Sequence, residues 1–177
     1  MQREHLMEIV GVRLDVPSSQ PVVVLREAAG PRHVPLWIGT SEATSIVFAV
    51  QGIAPPRPLT HDLLLTVVES FGRNLQKVCI RSVDGTVFHA ALVFDDDTVV
   101  DSRASDAIAL AARVDCPVLC AESVLEAVGL VMTEDGELRE PGERESSAVE
   151  SSSQGAEQKV REFRDFLDSV DPEDFMT

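Results

Sequence analysis

Three short clusters along the chain hold the residues best suited to chemistry. Glu42 follows Gly39-Thr40-Ser41, and His61 with Asp62 follows Arg57-Pro58-Leu59-Thr60. The third cluster, Asp101-Ser102-Arg103-Ala104-Ser105-Asp106, closes a β-branched strand and opens an Ala-rich helix. Carboxylates are hard oxygen donors that suit Mg²⁺ or Mn²⁺. Such an ion can activate water and offset the charge that develops in phosphodiester hydrolysis. Asp101, Asp106, Glu42 and Asp62 are therefore the candidate ligands for a divalent metal. His61 is the candidate general acid or base, because an imidazole titrates near neutrality. It forms a catalytic set with Asp101, Asp106 and Glu42. Arg103 offers a planar fork to a phosphate, and Ser102 and Thr60 join it as candidate substrate contacts. Each residue also has a plainer role: Glu42 as a helix-start charge, His61 and Asp62 as a cap completed with Thr60, Asp101 and Arg103 as a pair fixing a turn, Asp106 as a cap. The chemical reading requires Glu42, His61, Asp101 and Asp106 to approach one another in space.

The elements that would position these clusters are legible from periodicity. Residues 5–16 alternate toward their end as a half-buried strand does, Pro17 to Pro21 form a turn, and Val22 to Glu27 return as a hairpin partner. Val34 to Ile38 give a third strand, which Pro35 makes an edge or an irregular one. A helix follows from Thr40 or Ser41 to Val50, apolar almost throughout and ended by Gly52. Thr60 is the expected cap of a second helix, whose apolar face is Leu63, Leu64, Val67, Val68 and Phe71 and which Gly72 stops. Residues 75–94 read as a hairpin about Asp84-Gly85, and Asp95-Asp96-Asp97 as a solvated turn. Val99-Val100 lead into the third cluster and its helix. Pro117 to Leu119 give a last strand and Ser123 to Val128 a short helix closed by Gly129. Trp37 is expected in the core or an interface.

Charge divides the chain unevenly. Residues 1–133 carry 10 Lys and Arg against 16 Asp and Glu, and residues 134–177 carry 5 against 14, within a total of −15. No basic stripe supplies sequence-independent affinity for nucleic acid, so such binding is expected to be weak and metal-assisted. Composition suggests three parts: a folded domain over 1–133, a Glu- and Ser-rich linker over 134–155 expected to be disordered, and an acidic amphipathic helix over 156–177. In that last part Val160, Phe163, Phe166, Leu167 and Val170 recur at helical spacing, as in a helix that docks on the domain or binds a partner protein. No apolar run is long enough to span a bilayer, and the first residues lack a signal-peptide pattern. The three cysteines, Cys79, Cys116 and Cys120, read as buried free thiols, and a reducing cytoplasm is the expected location.

Three blocks resemble the bifunctional nuclease family of bacteria and plants. They are Pro35-Leu36-Trp37-Ile38-Gly39 with Glu42-Ala43, then Arg57-Pro58-Leu59-Thr60-His61-Asp62-Leu63-Leu64, then Asp101 to Leu110. They stand in the family's order and spacing, and the resemblance covers about residues 5–132. It implies a single α+β domain, with mixed and antiparallel β-sheets wrapped around central helices, usually forming a homodimer. It also implies cleavage of both DNA and RNA. The family commonly has Pro where this chain has Ala104, which loosens one turn without changing a polar group. Residues 157–175 do not match the UvrB/UvrC-like motif that some relatives append, and the ending Val170 to Phe175 resembles tails of actinobacterial members. The alternative function is a non-enzymatic regulatory module that binds a protein or small ligand through the same domain and the C-terminal helix.

Overall fold

A computed structural model describes residues 3–16, 18–132 and 138–140. Within them, two antiparallel meanders carry most of the strand content. The first is β1 (Glu4–Leu14), β2 (Pro21–Glu27) and β3 (Arg32–Trp37); the second is β4 (Leu75–Asp84), β5 (Val87–Phe94) and β6 (Val99–Arg103). Strand β7 (Val118–Ala121) joins them, running parallel to β4 and antiparallel to β1. Strands β8 (Leu130–Met132) and β9 (Leu138–Arg139) extend the far edge, giving one mixed nine-stranded sheet in the order β6-β5-β4-β7-β1-β2-β3-β8-β9. The expected α+β domain is therefore present, its strands gathered in a single sheet.

Local residue choice explains the main features. Pro21 to Leu25 are all buried, as suits a strand with neighbours on both sides. Pro35 cannot donate to a ladder, and β8 pairs only with Arg32 and His33, so Pro35 lies where β3 lacks a second neighbour. Between β4 and β5 only Gly85 and Thr86 are unpaired, and Gly85 takes the left-handed conformation (φ 57°) that tightens this turn. The turn over Asp95 to Asp97 is held by Asn74 on Asp95, the Thr98 N–H on Asp96, and Arg73 on Asp96.

Four helices lie among the described residues: α1 (Thr40–Gln51), α2 (Thr60–Ser70), α3 (Ala104–Val114) and α4 (Glu122–Val128). Helix α3 is the centre. Ala107 to Ala111 are all buried, and the small side chains let α1, α2 and the β4–β5 ribbon approach it closely. Helix α1 bridges from α3 to β1 and β2, and α4 packs on β3, β4 and β7. The helix starts differ from expectation. Gly39, Leu59 and Arg103 are the N-caps, none with a side-chain cap, so Thr40 and Thr60 are already inside their helices. Helix α2 is also turned about its axis: Leu65 and Val68 pack on the core, whereas Leu63, Leu64, Val67 and Phe71 are exposed. Trp37, at the end of β3, is exposed rather than in the core.

A group of charged side chains fastens the sheet to α4. Arg32 donates from Nε and Nη2 to the two Glu27 oxygens at 2.9 Å each, and from Nη1 to Glu122 at 2.8 Å. His5 approaches Glu27 through Nδ1 at 2.8 Å and abuts Glu122 through Nε2 without hydrogen-bond alignment. Gly30 makes room for this group, since a Cβ there would overlap the Glu27 carboxylate. The Arg32 hydrogen bonds, with a smaller pull from His5, hold the pKa values of Glu27 and Glu122 below the usual range against the opposing effect of burial. All three cysteines are free. Burial pushes the Cys116 thiol up to about 11 and the Cys120 thiol up to about 12.

Candidate functional site

The N-terminal ends of α1, α2 and α3 open onto one cavity of about 1210 Å³. Its wall includes Glu42 and Ser45 from α1, Thr60, His61 and Leu64 from α2, Asp101, Ser102 and Arg103 from β6, and Asp106 from α3. Each of these helices carries an acidic residue in its first turn: Glu42, Asp62 and Asp106. Unpaired first-turn N–H groups and the helix dipole favour negative charge there. Two of the three acids, Glu42 and Asp106, face the cavity.

Arg103 gathers those two. Its Nε and Nη2 donate to Asp106 at 2.6 and 2.9 Å, and its Nη1 donates to Glu42 Oε1 at 3.1 Å. These bonds leave one further hydrogen on each of Nη1 and Nη2, on a side chain that is 67% exposed. Arg103 therefore pairs with Asp106, one helical turn on, and not with Asp101 as the sequence allowed. Gly39 makes room for Glu42, because a Cβ there would overlap the carboxylate.

His61 is held on both ring nitrogens. Nδ1 lies 2.9 Å from Ser45 Oγ, and Nε2 lies 3.3 Å from Asp106 Oδ1. Burial works against the Asp106 charge, but the Arg103 hydrogen bonds and His61 together outweigh it and set its pKa below the ordinary carboxylate value. Asp106 thus stays ionised between a guanidinium and an imidazole.

The remaining expected residues divide. Asp101 is exposed on the cavity wall, with no side-chain partner among the described residues. The Ser102 hydroxyl donates to the Arg103 carbonyl at 3.0 Å. Asp62 does not line the cavity: it accepts from the Leu59 N–H at 2.8 Å and from Arg113 Nε at 2.6 Å. Arg113 in turn donates to the carbonyls of Ala109 and Ser45 at 2.8 and 3.2 Å, buckling α2 to α3 and α1. No group of three or more His, Cys, Asp or Glu stands ready to hold a metal among the described residues. The oxygens of Glu42, Asp101 and Asp106 have the right chemistry, but two of these carboxylates are engaged by Arg103, so a divalent ion does not fit the arrangement as it stands.

Sequence reasoning missed Ser45 and Arg113. Ser45 sits three residues beyond Glu42 in an apolar helix, and a hydroxyl among apolar neighbours was the available signal. Arg113 sits seven residues beyond Asp106, two turns along the same helix.

The fold and cavity together define an α+β domain with an acid–imidazole–guanidinium cluster at converging helix starts. The chain belongs to the bifunctional nuclease domain family, whose pattern matches residues 23–133. It is also 41% identical over 169 residues to uncharacterized proteins of two Mycobacterium tuberculosis strains, CDC 1551/Oshkosh and ATCC 25618/H37Rv. Those matches cover 96% of this chain and 96% of each relative.

Proposed function

We propose that this cavity hydrolyses phosphodiester bonds in DNA and RNA. The observation that carries the reading is that His61, ionised Asp106 and a solvent-facing Arg103 share one wall of an open cavity. A phosphate oxygen would be held by the free hydrogens of Arg103. Water attacks phosphorus and passes its proton to the exposed Asp101 carboxylate, the bond to the leaving oxygen breaks, and imidazolium His61, stabilised by ionised Asp106, gives that oxygen its Nε2 proton and returns to the neutral ring. Glu42 and Asp106 hold Arg103 in place between turnovers. Binding is expected to be weak and salt-sensitive, because the domain's net charge is negative. A divalent cation at Asp101, Glu42 and Asp106 would require Arg103 to release the last two, so no step of the reaction runs through one, and the chelator arm of the assay tests its recruitment.

The test is cleavage of labelled single- and double-stranded DNA and RNA with Mg²⁺, Mn²⁺ or a chelator, beside Asp101→Asn/Asp106→Asn. Cleavage that disappears in the folded double variant supports the reaction and the site. Cleavage that persists there points to another site or to a contaminant. Cleavage that survives the chelator removes the cation.

One observation favours a second reading, a binding module. Helix α2 buries none of its residues fully, and Leu63, Leu64 and Val67, with Phe71 at its C-cap, form an exposed apolar row of which Leu64 lines the cavity. A second copy of the chain is the occupant we assign to it, giving a homodimer; a monomer mass by solution scattering would count against this. The acidic C-terminal segment, proposed as a contact for a partner protein, lies outside the described residues. No helix among the described residues is long and apolar enough to cross a membrane.

A further inference from the structure

We infer that Ser45 is the positioning residue of His61, a role that rests on the hydrolase reading only where it concerns rate. The Ser45 hydroxyl lies 2.9 Å from His61 Nδ1, and Ser45 is buried at 7% exposure inside α1. Its backbone is fixed as well, since Arg113, itself anchored by Asp62, donates to the Ser45 carbonyl.

The proton arrangement follows from the partners. Ionised Asp106 can only accept, so the nitrogen facing it, Nε2, carries hydrogen. In the neutral ring Nδ1 is then an acceptor, and the Ser45 hydroxyl donates to it. In the imidazolium Nδ1 also carries hydrogen, and the same hydroxyl turns to accept. After Nε2 gives up its proton, hydrogen remains on Nδ1 and Ser45 Oγ still accepts it. A hydroxyl is a donor and an acceptor in one atom group, so Ser45 satisfies Nδ1 in every proton state without movement of the ring. Alanine would leave Nδ1 facing a void and free the ring about its remaining tether to Asp106. The other charged groups of the cavity wall, Arg103, Glu42 and Asp101, make no hydrogen bond or ion pair with Nδ1.

The experiment compares wild type, Ser45→Ala and Ser45→Thr. Alanine is the stronger helix former, so the fold is expected to hold, and the melting temperature checks it. Ring nitrogen NMR of His61, assigned against His61→Ala, is the deciding measurement. In wild type the neutral ring should show hydrogen on Nε2 and an Nδ1 shifted by the hydrogen bond it accepts, and in Ser45→Ala Asp106 should keep hydrogen on Nε2 while Nδ1 moves to the position of an unbonded ring nitrogen. With cleavage in hand, kcat should fall about 100-fold, the scale of a misplaced catalytic group, while KM moves less than about twofold because substrate contacts are untouched. Ser45→Thr, which restores a hydroxyl, should recover the nitrogen pattern and most of the rate. An unchanged His61 pattern in Ser45→Ala overturns the proposal, as does an unchanged kcat. If wild type cleaves nothing, the hydrolase reading fails while the nitrogen comparison still decides the positioning role.

Discussion

Around His5 and around His61 the chain gathers the same inventory: one imidazole, one guanidinium and two carboxylates, with a glycine cleared beneath one of the acids. Their settings differ. Arg32 is 22% exposed and is enclosed by Glu27 and Glu122 at the junction of β1, β2, β3 and α4. Arg103 is 67% exposed, at the mouth of a cavity. The first group closes on itself and joins strands to a helix. The second keeps guanidinium hydrogens turned toward solvent beside an imidazole on the cavity wall. The difference teaches that a composition of charges does not make a site; unspent donors facing open volume do.

Substitutions separate the two groups. The largest effect is expected from His61→Ala, which removes the proposed proton donor and should lower cleavage by about 10²–10⁴-fold with little change in melting temperature. Arg103→Ala should lower cleavage about 100-fold, the scale of one lost donor to a charged oxygen. It should cost less than about 1 kcal/mol in stability, because the side chain is solvated. Arg32→Ala reverses the pattern. It strands Glu27 among buried neighbours and should cost about 2 kcal/mol, below the usual figure for a broken buried pair because some solvent reaches the group. The melting temperature should then drop by roughly 4–8 °C, while activity per folded molecule is kept. A large activity loss in Arg32→Ala without unfolding would erase the distinction.

Response to pH sharpens it further. Glu27, Glu122 and Asp106 have lowered folded pKa values. Their stabilisation is present above the unfolded carboxylate value of about 4 and is lost as pH falls through the folded values. Arg32→Ala should flatten that acid slope more than Arg103→Ala does. On the alkaline side, Cys116 and Cys120 are raised to about 11 and about 12. Their contribution is full below the unfolded thiol value of about 8.5 and fades above it. Cys120→Ala should flatten the loss of stability measured by denaturant titration between neutral and alkaline pH. The smallest effect is expected from deleting residues 141–177, which leaves β9 in place. Melting should shift by less than about 2 °C, under 1 kcal/mol for a domain of this size, and a larger drop would make that segment part of the folded core.

Much of this arrangement was legible in the sequence, and the exceptions are instructive. Strands and helices with strong periodicity, such as β2, β4–β5 and α3, stood out because burial on one or both faces writes its period into the residues. Strands β8 and β9 were missed because two or three residues carry no period; β9 falls within the stretch read as linker. The outward turn of α2 was missed because apolar residues occupy both its faces, and only packing on α3 chose Leu65 and Val68. For the site, residue type singled out Glu42, His61, Asp101, Arg103 and Asp106, all of which line the cavity. Asp62 has the same type and helix position as Asp106, but Arg113 draws it to the other side. That choice depends on a residue 51 positions away, which spacing cannot reveal. Ser45 offered only a hydroxyl in an apolar helix as a signal, and spacing could not name its partner, which lies on another helix.

The most direct test of the central claim is one comparison: initial cleavage rate and melting temperature of wild type and Asp106→Asn, measured on the same nucleic-acid substrate. Asp106 touches both His61 and Arg103. The rate should collapse in Asp106→Asn while the domain stays folded. Equal rates in the two proteins would contradict that claim, and the cavity would then belong to a binding module.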